Sequence, residues 1–116
     1  MFDFQKLEAY QCAKRLHLSV SGMLKEVEGI DRDTRSQLRR ASMSICLNLA
    51  EGAGRLAPKD KRHFYIIARG SVAECVCILD LIAGEGIISS SNYSAYFGAY
   101  DRLSRMLWAL INKLLS

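Results

Sequence analysis

The chain has 116 residues, half of them hydrophobic, with a single proline and a formal charge of +4. That length bounds one domain, spanning 1–116, with room for a real core, and the composition argues against disorder. No leader-like segment is visible, and the longest apolar run is broken by Arg69, Glu74 and Asp80, which a membrane span tolerates poorly. A cytoplasmic protein is therefore expected.

Four segments with helical periodicity follow one another, and none alternates as a strand does. The first, about 4–28, steps through Tyr10, Ala13, His17, Val20, Leu24 and Val27 and stops at Gly29. The second, about 32–54, begins at Asp31 or Asp33, whose carboxylates suit a helix N-terminus, and its Gly52-Ala53-Gly54 ending reads as a C-cap. The third, about 58–84, opens on Pro58, a favoured first-turn residue. The fourth, about 91–115, follows the Ser89–Ser91 run and carries a seam of Tyr93, Phe97, Tyr100, Leu103, Leu107, Leu110 and Leu114. The fold class expected is an all-α, antiparallel up-and-down four-helix bundle.

Helices two and three are joined so tightly that they must pack antiparallel, with facing position numbers adding to about 113. Leu38 then meets Cys75, Ser42 meets Ser71, Ile45 meets Ala68 and Leu49 meets Phe64, each a large-with-small or small-with-small contact. The same register sets Arg39 or Arg40 beside Glu74 and Glu51 beside Arg62, so Arg40, Glu51 and Glu74 are expected in structural ion pairs. Helix three is apolar nearly all round: Phe64, Ile67, Ala68, Ser71, Cys75, Ile78 and Ile82 form its seam, while Ile66, Ala73, Val76 and Leu81 point elsewhere. Met43, Leu47 and Ala50 repeat the pattern on helix two. A lone bundle needs a solvated stripe on each helix, so this hairpin is expected to pack against another subunit.

Charge is concentrated in the same hairpin. Between Arg32 and Arg69, nine arginines and lysines face three acids, a net of +6, while the rest of the chain is net −2. Arg32, Arg35 and Arg39 share one helical face, and with Arg55, Lys59, Lys61 and Arg62 they make a candidate nucleic-acid-binding surface. For a single copy a solvated face explains the stripe as well; repetition around an assembly would focus the field. Aromatic residues are scarce among these cations, so phosphate contacts rather than base stacking are expected. An acidic protein partner, with no nucleic-acid role, is the alternative.

Enzymatic chemistry has little support. Neither Glu51 nor Glu74 has a histidine three residues on, as a di-iron bundle requires. Ser42, Ser44 and Ser71 lack a histidine at any predictable distance, and Gly52-Ala53-Gly54 lacks the strand and lysine of a phosphate loop. Cys12, Cys46, Cys75 and Cys77 show no paired spacing and read as reduced core thiols. No catalytic residue, metal or cofactor is expected.

The stretch QLRRASMSICLNLAEGAGR followed by FYIIARGSVAEC resembles the four-helix-bundle family of 23S rRNA intervening-sequence proteins. Gln37, Arg40, Ser44, Asn48, Glu51, Gly52, Arg55, Ala68, Gly70, Ser71 and Glu74 match its motif, and FDFQKLEAYQCAKRLH resembles its first helix. The resemblance implies a bacterial protein forming a ring-like homo-oligomer, a pentamer by preference. It also implies an architecture related to the accessory protein of diversity-generating retroelements, a basic pentameric barrel that works with nucleic acid. For the family itself it implies an association with rRNA insertions and no settled activity.

Overall fold

The computed structural model describes residues 1–115. Four helices, α1 (Glu8–Glu26), α2 (Arg32–Gly54), α3 (Pro58–Gly84) and α4 (Ser90–Lys113), form a compact all-α bundle of about 44 × 23 × 21 Å. No strand occurs among the described residues, and no helix there is long and apolar enough to cross a membrane. α2 packs on α1 and α3, α4 packs on α3 and α1, and the sequential neighbours close a square.

The helix starts follow local chemistry. Asp31 accepts from the Thr34 backbone N–H at 2.8 Å and from its hydroxyl at 2.9 Å, Pro58 opens α3, and Ser89 accepts from Asn92 N at 3.0 Å. α1 starts later than the periodicity suggests. Asp3–Lys6 form a separate 3-10 turn, because Gln5 Oε1 accepts from Phe2 N at 2.8 Å and Leu7 is extended. That turn sets the Phe4 ring edge-on to Tyr10, 4.8 Å between centroids, and rests against α2. At the far end of α3, Ile87 N donates to Ile82 O and Gly86 N to Ala83 O, a Schellman motif whose φ of 77° at Gly86 suits glycine.

The core differs from the expected seams by small rotations. On α3 the buried residues are Tyr65, Ala68, Ser71, Val72, Cys75, Ile78, Leu79 and Ile82; Ile67 is exposed and Phe64 half-buried. On α4 they are Tyr100, Leu103, Leu107 and Ile111, leaving Phe97 48% exposed. Tyr65 displaces Phe64 because its ring packs closely against Gly52. A Cβ there would sit 2.6 and 2.9 Å from two of its ring carbons. Gly52 therefore serves a close helix approach inside α2 and is no C-cap, while Gly54 has open space around it.

Polar residues in the centre are spent on one another. Ser42 is bonded to His17 Nδ1 of α1 at 2.9 Å, and the Ser71 hydroxyl is bonded to that of Ser44, at 3.0 Å between oxygens. Asn48 Nδ2 donates to Ser44 O at 2.8 Å and to its Oγ at 3.0 Å. The buried Tyr100 hydroxyl faces Cys75 and Ser42 without a hydrogen bond of ordinary geometry to either. Burial is the main reason the Cys75 thiol is pushed up to about 12.

Candidate nucleic-acid interface

A helix leaves its last carbonyls without internal partners, and three cations of the expected surface supply donors to them. Arg35 reaches back across the turn from α2, donating through its two terminal nitrogens to Leu24 O and Val27 O and through Nε to Ile30 O at 2.9 Å. Lys61 Nζ donates to Ala53 O at 2.9 Å and Gly52 O at 3.3 Å, closing the end of α2. Arg62 donates to Leu114 O at 2.9 Å beyond the end of α4. These three residues hold helix ends in place, so they are not the open phosphate-facing side chains that their charge suggested.

The other four are placed differently. Arg32, Arg39 and Lys59 are exposed and make no ion pair within the described chain. Arg55 is bonded to Glu51 one turn earlier, 3.1 Å apart, and its guanidinium lies 4.8 Å over the Phe64 ring. Arg32 and Arg55 stand at opposite ends of a 23-residue helix, about 34 Å long. The cations thus form two groups, one toward the α1–α2 end and one around the α2–α3 turn, in place of a single stripe.

The expected ion pairs need correction. Arg40 and Glu74 do not bond; both are exposed on the outer side of the α2–α3 hairpin. Well-hydrated charges gain little from holding two long side chains together, which leaves Arg40 available to a partner. Glu51 pairs with Arg55 of its own helix, and Arg62 is committed to Leu114. The second ion pair among the described residues joins Arg105 and Asp101 at 3.0 Å.

One arrangement was not expected. Between α3 and α4 runs a groove of about 940 Å³, with Ile66, Ala73 and Val76 on one wall and Tyr93, Phe97 and Trp108 on the other. Arg69 lies 5.3 Å from the centre of the Trp108 ring and donates to Ser104 Oγ at 3.2 Å. A tryptophan standing off the leucine seam of the fourth helix was the only signal of it in the sequence. Its basic partner comes from a different helix. Among the described residues, no group of three His, Cys, Asp or Glu side chains is placed to hold a metal ion.

Comparison with known proteins agrees with this architecture. The family model of the 23S rRNA-intervening sequence protein matches residues 5–109. A crystal structure of a protein of unknown function from the S23 ribosomal protein family of Bacteroides thetaiotaomicron superposes with a TM-score of 0.79 at 16% identity, covering 90% of this chain and 95% of that one. That identity supports the shared fold alone. No curated protein matches the chain.

Proposed function

From the premise that the chain belongs to the 23S rRNA-intervening sequence protein family, we propose that it is a non-enzymatic, cytoplasmic bundle protein that self-associates and binds structured RNA through phosphate contacts. The observation that carries the RNA-binding part is the set of exposed cations Arg32, Arg39, Arg40 and Lys59, which no carboxylate within the described chain neutralises. Arg35, Lys61 and Arg62, tied to helix ends, add three further positive charges to the same hairpin. Such a distribution attracts a polyanion without reading its sequence.

Self-association is supported by the outer face of the hairpin. Met43 and Leu47 on α2 and Ile67 and Leu81 on α3 are all exposed, and large apolar side chains left to solvent on both helices of one hairpin suit a partner surface. A ring of five is the arrangement that the family likeness implies. It would repeat the cationic set around one axis and strengthen its field.

Replacing Arg32, Arg39, Arg40 and Lys59 by alanine tests this. The variant should fold and assemble as the parent does, bind RNA more weakly whatever its sequence, and lose roughly one unit of salt slope per phosphate contact removed. Unchanged affinity and slope would refute the phosphate role. Failure of the parent itself to bind RNA at low salt would turn the proposal toward an acidic protein partner.

A further inference from the structure

The α3–α4 groove joins two properties that the cationic set lacks: an apolar lining, and exposed aromatic faces next to arginine. Trp108 is 49% exposed and Phe97 nearly as much, although both stand beside a buried seam. Arg69 covers part of the indole, and Arg62 stands on the same side of the groove toward the start of α3. Two acids also line the groove: Asp101 is bonded to Arg105, and Asp80 lies toward Tyr93 at the other end. One end of the groove is therefore aromatic and cationic, and its volume falls within the range of about 300–1,000 Å³ usual for ligand sites.

We infer that this end of the groove binds an unpaired base of RNA, stacked on the Arg69–Trp108 pair with a flanking phosphate toward Arg69. The inference rests on the RNA-binding role proposed above and adds a site to it. Both indole and guanidinium planes stack on nucleobases, and base stacking tolerates any sequence because every base has a π-face. A paired base has its faces covered by its neighbours and cannot stack there, so the occupant must come from a loop, bulge or single strand. The site would then select unpaired segments within a structured RNA that the outer cations hold by its phosphates. The charge complementarity at this end favours a nucleotide over a second copy of the chain.

Trp108 is the only tryptophan in the sequence, so its emission reports this groove alone. The parent protein is titrated with a single-stranded oligoadenylate of eight nucleotides and with a blunt RNA duplex, while anisotropy of labelled RNA measures total binding independently. The single strand should quench Trp108 saturably and the duplex should not. Trp108→Leu, which keeps an apolar side chain, should lower affinity for the single strand by about 5- to 100-fold and leave the duplex unaffected. Single-strand binding seen by anisotropy with Trp108 emission unchanged overturns the stacking site and leaves the phosphate-binding role standing. No binding of either RNA overturns both. Emission that shifts with protein concentration in the absence of RNA assigns the groove to a second copy and also overturns the inference.

Discussion

Replacing Arg35 by methionine separates a cation that builds the fold from one that binds a ligand. The change keeps an apolar stem but removes three donors to Leu24 O, Val27 O and Ile30 O. Hydrogen bonds to a charged group contribute about 1.5–3 kcal/mol each. The residue is only half-buried, so water takes over part of the lost bonding. The expected net loss is about 2–4 kcal/mol, a large share of the stability of about 5–15 kcal/mol usual for a domain. With a mid-range urea slope of about 2 kcal/mol per molar, the midpoint should fall by roughly 1–2 M. Unfolding is followed by far-ultraviolet circular dichroism at one fixed protein concentration, since assembly makes apparent stability concentration-dependent. Arg32→Met, one turn earlier and exposed, should stay within about 0.5 kcal/mol of the parent. In RNA binding the order reverses: Arg32→Met weakens it, and the folded fraction of Arg35→Met keeps the parent's salt slope. An Arg35 variant as stable as Arg32→Met, with a reduced slope, would refute the capping role.

Gly52→Ala should destabilise the protein by about 1–3 kcal/mol through the clash with Tyr65, whereas Gly54→Ala, in open space, should gain about 0.5–1 kcal/mol from helix propensity; urea unfolding of both decides. A double-mutant cycle on Arg40 and Glu74 should give a coupling below about 0.5 kcal/mol under conditions where the chain is monomeric, since no bond joins them within the chain. Burial, and then the charge of Arg39, lower the pKa of His17 from its ordinary value near 6.5, so the unfolded chain takes up that proton first on acidification. The stability tied to neutral His17 is therefore fully present above about pH 6.5 and falls below it. His17→Gln should flatten that part of a stability–pH curve. In native single chains Cys77, exposed, should react fastest with a thiol reagent near pH 8, while Cys46, pushed up to about 11, and Cys75, pushed up to about 12, should react appreciably only after unfolding.

The four helices were legible because their apolar periodicity and their starts at Asp31, Pro58 and Ser89 are local signals. The family motif around Gln37–Arg55 was equally plain. Adjacent aromatics were less so: Phe64 and Tyr65 differ by one position, and only the close approach of a ring to Gly52 decides which is buried. Arg35, Lys61 and Arg62 looked like surface charge because their acceptors are helix ends, which only the finished bundle brings within reach. The Arg40–Glu74 register looked sound along the axis, yet both side chains turn outward. The Arg69–Trp108 contact joins residues of different helices and could not be seen from spacing along either.

The salt dependence of RNA binding by the parent protein tests the central claim most directly. Affinity for a structured RNA, measured by anisotropy from low to moderate salt, should fall linearly on logarithmic axes, with a slope of roughly 0.7–0.9 per phosphate neutralised. With Arg32, Arg39, Arg40 and Lys59 engaged, a slope of about 3 or more is expected. A flat line, or no binding at the lowest salt, would contradict the account.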